Sequence, residues 1–195
     1  ERFVYYQTNI EKHKPDDGCS IKEVIDTIAH MGICNEQDCP YDTAKIAERP
    51  SDEAFSKAQM HKIVEAKMVN VCHHDITAAL SKGYPLAVSL NLYTSFGTGY
   101  KGYEFLPAKE EREEEEPARH AMVVVGYNED DKVYIVRNSW GKQFGDNGYC
   151  YMPFSYIDNP ELNNYCCIIT RFYNCSNLNL MVILPVNPLF RSNVW

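Results

Sequence analysis

The spacing of apolar residues changes once along this chain, and that change limits the folds open to it. Just after Ser20 the apolar positions are Ile21, Val24, Ile25, Ile28 and Ala29, the three- and four-residue spacing of one helical face. Ser20 and Glu23 form a capping-box pair at its start, and Gly32 supplies a stop. A second helix is expected after Ser51, and a third from Asp75 as cap to Gly83 as stop. From Leu86 the period drops to two: Leu86, Val88, Leu90 and Leu92 alternate with small or polar residues, as in a strand with one buried face. Residues 120–127 and 133–137 read as two strands joined across Glu129-Asp130-Asp131, a hairpin by length and composition, and 149–152 and 165–173 as further strands. Helices first and antiparallel strands afterwards predict an α+β protein in two lobes.

Charge and cysteine usage narrow the function. A net charge of −8 on 195 residues argues against a nucleic-acid partner, because phosphate binding needs a basic footprint. Half of that charge is local: residues 109–116 hold six Glu against one Lys and one Arg, a net −4 just ahead of His120. The expectation for this run is a solvated loop tip; the functional alternative is a field that raises the pKa of His120 and attracts basic peptides. No apolar run is long enough to span a bilayer. Eight cysteines show no paired zinc spacing. Cys72-His73-His74 is the one cluster with metal-ligand chemistry, and a metal-binding regulator built on it is the weakest of the readings; no metal or cofactor is expected. Asn174-Cys175-Ser176 matches a glycosylation acceptor, which leaves the compartment unassigned.

The segment 119–153, "RHAMVVVGYNEDDKVYIVRNSWGKQFGDNGYCYMP", carries the chemistry. It sets His120 at the head of an apolar strand and Asn138 at the end of the next, with Trp140 close behind. A histidine acts as a general base only when its tautomer and ring plane are fixed, and an amide oxygen accepting the imidazole N–H does both. By spacing alone, a structural histidine beside a turn asparagine remains an equal reading.

The wording of the segment tips that balance. His120-Ala121, Val125-Gly126-Tyr127, Asn138-Ser139-Trp140-Gly141 and Phe144-Gly145-Asp146-Asn147-Gly148-Tyr149 together resemble the papain-like (cathepsin-like, C1-type) cysteine peptidase family. Upstream, Asp17-Gly18-Cys19-Ser20-Ile21-Lys22-Glu23 and Tyr41-Asp42 look like the branch of that family seen in bacteria and viruses. The likeness covers about residues 1–170. It implies the two-lobe papain-like fold, a helical lobe plus an antiparallel β-barrel-like lobe. On that basis residues 1–75 are expected to be the remainder of the helical lobe, 76–170 the β lobe, and 171–195 an extension outside the likeness.

The resemblance also implies roles: His120 as base and acid, Asn138 as its orienter, Trp140 as the shield over their bond, and Gly18, Cys19 and Arg119 as substrate contacts. Arg119 departs from the family, which usually has Gly or Asp before the histidine. The family's nucleophile is a cysteine at the N-terminus of a long buried helix, and none of the eight cysteines has the matching neighbourhood. The expectation is therefore that the nucleophile lies in a segment preceding Glu1, that the N-terminal part of the helical lobe is absent, and that these 195 residues alone do not hydrolyse peptides. The alternative is a non-catalytic papain-like protein serving as a structural or protein-binding module. The implied partners are a peptide or protein substrate, and another chain or preceding segment covering the face of Ile21, Val24, Ile25 and Ile28. The apolar tail "LNLMVILPVNPLF", broken by Pro185 and Pro188, is expected to dock as an extended strand.

Overall fold

The computed structural model describes residues 1–10 and 18–173. The glycosylation triplet at 174 and the apolar tail lie outside the described residues. Helices come first: α1 (Arg2–Tyr5) running into a π-helical turn (Tyr6–Ile10), α2 (Ile21–Met31) and α3 (Asp52–Ala58). Then follow β1 (Ile63–Met68), α4 (His73–Ser81), β2 (Leu86–Leu92), α5 (Lys109–Glu114), β3 (Ala118–Asn128), β4 (Val133–Arg137), β5 (Tyr149–Pro153), α6 (Phe154–Ile157) and β6 (Asn163–Phe172). The strands form one sheet in the order β1-β6-β2-β3-β4-β5, with β2, β3, β4, β5 and β6 paired antiparallel. The expected mixture of helices and antiparallel strands, an α+β architecture, is the one found.

The described residues divide into two compact units, one of residues 1–10, 18–66 and 169–173, the other of residues 67–168. These bounds differ from the expected break at 75/76. The physical reason is a pairing that sequence did not reveal: Tyr173 donates its backbone N–H to Lys62 O at 2.8 Å, and the Thr170 hydroxyl donates to Glu65 Oε2 at 2.6 Å. The last turns of β6 are thereby tied to the start of β1, in the first unit. Strand β1 went unread because only Ile63 of its six residues is buried, so it has no apolar alternation to detect.

In the first unit, α2 is built as its sequence requires. The Ser20 hydroxyl accepts the Glu23 N–H at 3.2 Å while Glu23 Oε2 accepts the Ser20 N–H at 3.0 Å, completing the capping box. Its apolar face was expected to be covered by another chain, a preceding segment or the tail. Ile21, Val24, Ile25 and Ile28 are all buried, and the segment from Arg2 to Ile10 lies against α2, the Thr8 hydroxyl donating to Thr27 Oγ1 at 3.3 Å. Phe3 packs on Phe55 of α3, and the Arg2 guanidinium reaches Lys45 O at 2.7 Å.

In the second unit the core gathers Ile76 of α4, Leu86, Val88 and Leu90 of β2, Met122 and Val124 of β3, Tyr134 and Val136 of β4 and Met152 of β5. Burying each such side chain contributes roughly 1.5–3 kcal/mol. Two expectations are revised. Helix α4 starts at His73 with Cys72 as its cap residue, not at Asp75; Asp75 sits in the first turn, where a carboxylate suits the helix dipole, and accepts from Asn70 Nδ2 at 2.7 Å. The acidic run is not a loop tip: it folds as α5, because Glu111 and Glu115 find backbone and hydroxyl donors across the fold, at Thr94 and Ser95.

Candidate active site

His120 and Asn138 are brought together by two neighbouring strands of the second unit. His120 lies in β3 opposite Leu90 of β2, with its ring on the buried side. Asn138 immediately follows β4, and its backbone N–H donates to Gly148 O at 2.9 Å, which ties the strand end to the glycine loop before β5. That loop is laced by its own bonds, Phe144 N–H to Gly141 O and Gly148 N–H to Phe144 O. Gly145 and Gly148 have positive φ, and a Cβ on Gly145 would stand 2.2 Å from Tyr149 O, so the close return of the loop depends on glycine there.

The two side chains meet with His120 Nε2 and Asn138 Oδ1 2.8 Å apart, both residues being 4% exposed. The same Oδ1 accepts the Ser139 backbone N–H at 2.7 Å. A backbone N–H can only donate, so the atom facing it is the amide oxygen, and Nε2 of His120 must carry the proton it gives to that oxygen. In the neutral ring Nδ1 is then the basic nitrogen. Burial pulls the imidazole below its ordinary pKa, and the bond to Asn138 partly offsets this. The arrangement is a buried imidazole whose neutral form is favoured and whose ring is held by one amide oxygen.

Trp140 lies beside the pair, its ring centroid 5.1 Å from that of His120 and its plane tilted by 37°. Phe96 and Phe144 meet the indole edge-on at 5.6 and 5.0 Å and lie stacked on each other at 5.7 Å, so Trp140 belongs to an aromatic cluster. Phe144 stood in the quoted motif, whereas Phe96 was hidden in a loop rich in Gly and Tyr; no periodic signal marks a loop residue that acts only through the fold.

The other candidates are dispersed. Arg119 is exposed on β3 opposite Asn91, on the side of the strand away from the His120 ring. Gly18 and Cys19 belong to the first unit, where Gly18 has φ +84° and its carbonyl accepts from Asn9 Nδ2 at 3.2 Å. The members of Cys72-His73-His74 have different neighbours: His73 lies 3.1 Å from Tyr134 Oη and 3.3 Å from Glu129, and His74 lies 3.0 Å from Asp75. Among the described residues there is no group of three or more His, Cys, Asp and Glu that could hold a metal ion. Among them, too, no helix is long and apolar enough to cross a membrane.

All seven described cysteines are free thiols. Burial pushes Cys34, Cys166 and Cys167 up to about 12 and drives Cys39 and Cys150 in the same direction. These five are held as thiols, the opposite of what a nucleophile needs.

Comparison with known proteins finds similarity over most of the chain. The description "Papain family cysteine protease" matches residues 8–171. An uncharacterized peptidase C1-like protein of Acanthamoeba polyphaga mimivirus is 31% identical over 82% of this chain and 55% of its own length. Among solved structures, xylellain, a cysteine protease from Xylella fastidiosa, superposes with a TM-score of 0.78 at 27% identity, over 87% of this chain and 68% of that one. The digestive procathepsin L 3 of Tenebrio molitor shares the fold, with a TM-score of 0.64 at 18% identity over 85% of this chain and 53% of that one. The chain spans about half the length, or less, of the curated relatives it matches.

Proposed function

The chain belongs to the papain family of cysteine proteases, and from that premise we propose that His120 and Asn138 are the base and the orienter of a Cys-His-Asn site that hydrolyses peptide bonds. The observation that carries the reading is the 2.8 Å contact from His120 Nε2 to an amide oxygen whose identity Ser139 fixes. With Nε2 donating, Nδ1 takes the proton from the reacting thiol. The thiolate attacks the substrate carbonyl carbon, and the imidazolium then gives its proton to the departing amine, leaving a thioester. Nδ1 next deprotonates a water that opens the thioester, releasing the acid and restoring the thiol. Trp140 keeps water from the orienting bond throughout.

No described cysteine is assigned as that thiol: five of the seven are stabilised in the protonated form, and Cys19 and Cys72 lack the sequence neighbourhood of the family's nucleophile. The reading places the nucleophile outside the described residues and predicts the 195 residues alone to be inactive. Residues 1–75 then serve as the helical side of the enzyme and 76–170 as the side carrying the base, with Gly18, Cys19 and Arg119 as candidate contacts to substrate. The experiment is turnover of a fluorogenic peptide by the longest natural form of the protein, with and without His120→Ala, followed by mapping of the thiol labelled by an epoxide inhibitor. Loss of about 10²–10⁴-fold in rate is expected on removing the base. Undiminished turnover in the variant, or labelling of one of the five buried thiols, would overturn the assignment.

The buried thiols also favour a second reading, a non-catalytic member that binds peptide or protein. Its signature would be binding without turnover in the longest natural form, with no cysteine labelled faster than an ordinary exposed thiol.

A further inference from the structure

The acidic run ahead of β3 has no part in the chemistry above, yet its helix is bonded to the loop that carries Phe96. Glu111 Oε1 accepts the Ser95 backbone N–H at 2.7 Å and lies 3.2 Å from the Thr94 hydroxyl. Glu115 accepts both the Thr94 backbone N–H, at 3.2 Å, and its hydroxyl, at 2.8 Å. On the far side of Phe96 a third carboxylate closes the loop: Glu104, itself buried, accepts the Gly97 N–H at 2.8 Å. Burial would raise the Glu111 carboxyl, but the donors from Ser95 and Thr94 outweigh it and hold it below its ordinary value, so these oxygens are engaged as ionised acceptors. Arg112, between the two glutamates, reaches Glu161 at 3.6 Å and anchors α5 from its other side. The loop thus held presents Phe96 edge-on to Trp140, which lies against His120.

We propose that Glu111 and Glu115 are positioning residues, a clamp on Thr94 and Ser95 that holds Phe96 against Trp140 and so keeps the His120–Asn138 bond dry. The inference rests on the reading of His120 as the base, but its test observes the imidazole itself, so failure of the clamp and failure of the catalytic assignment give different results. A second account of the same glutamates, as a negative field acting on His120, makes the opposite prediction. Removing two carboxylates weakens a field and would lower the histidine midpoint, whereas opening a clamp admits water and raises it.

The experiment is an NMR titration of the His120 ring in the 195-residue chain, together with the solvent-exchange rate of its Nε2–H. Glu111→Ala with Glu115→Ala is expected to move the midpoint upward, toward the ordinary histidine value of about 6.5, and to speed exchange. Glu111→Gln with Glu115→Gln keeps an acceptor oxygen for each N–H and should hold both readings near wild type. Phe96→Ala should reproduce the upward shift with α5 untouched. If the double alanine variant does not fold, Glu111→Ala and Phe96→Ala decide the matter. An unchanged or lowered midpoint in the alanine variants, a glutamine pair that shifts as far as the alanine pair, or a silent Phe96→Ala would each overturn the proposal.

Discussion

At the scale of single residues the site depends on one oxygen. Asn138 Oδ1 serves two donors at once, so Asn138→Ala strands the buried His120 Nε2–H and the half-buried Ser139 N–H. Leaving a buried donor unsatisfied costs about 1–3 kcal/mol, and denaturant unfolding of the variant should show a loss of at least that size. In the wild type the Nε2–H of His120 is expected to exchange slowly with solvent, and that protection should vanish in the variant. The titration of His120 has a definite sign. Its folded pKa is depressed, chiefly by burial, so the unfolded chain binds the proton first as pH falls. The contribution is whole above the ordinary value of about 6.5 and is lost progressively as pH drops toward the depressed folded value. Unfolding free energies measured between pH 8 and pH 5 should therefore fall, and His120→Gln should flatten part of that slope.

At the scale of elements, the helix signals in the sequence can be tested directly. Ser20→Ala removes the cap of α2 and should cost about 1 kcal/mol, a fall in Tm of roughly 2–4 °C for a chain of this size. Gly32→Ala should cost more, about 3 kcal/mol, since Gly32 has φ +82° and a Cβ there would stand 1.9 Å from Ala58 O. Differential scanning of the two variants side by side should give that order, and equal Tm values would show that the turn relaxes without strain. The cap and the glycine stop were both readable as local chemistry. The same reading put the cap of α4 three residues late, because Asp75 is a good cap residue by type while the turn at Asn70–Cys72 begins the helix earlier. It also took residues 109–116 for a loop, because like charges side by side oppose a helix unless partners elsewhere engage them, and Thr94 and Ser95 lie in another segment.

At the scale of the whole molecule, thiol protection reports how the chain is held together. Cys34 and Cys39 are buried in the first unit and Cys150, Cys166 and Cys167 in the second, while Cys19 and Cys72 are only half-buried. Alkylation in native buffer followed by peptide mapping should modify Cys19 and Cys72 first. The five buried thiols should react only at the rate of unfolding, because burial disfavours the thiolate that does the chemistry. Rapid labelling of Cys166 or Cys167 would mean that β6 detaches from β2 without global unfolding, since their backbone partners are Val88 and Ala87.

What belongs to local chemistry could be read before any coordinates: the helical period and capping box of α2, the alternation of β2, and the motif that sets His120 on one strand and Asn138 at the end of the next. Each is settled within a few residues by periodicity, propensity or turn geometry. The remaining features are agreements between distant segments, and a linear pattern does not encode them. Residues 1–10 lie against α2, Thr170 near the end of β6 is bonded to Glu65 of β1, and Phe96 joins Phe144 around Trp140 across some fifty residues of chain. Ser139 decides which atom of Asn138 faces His120, and only a folded backbone could point its N–H there.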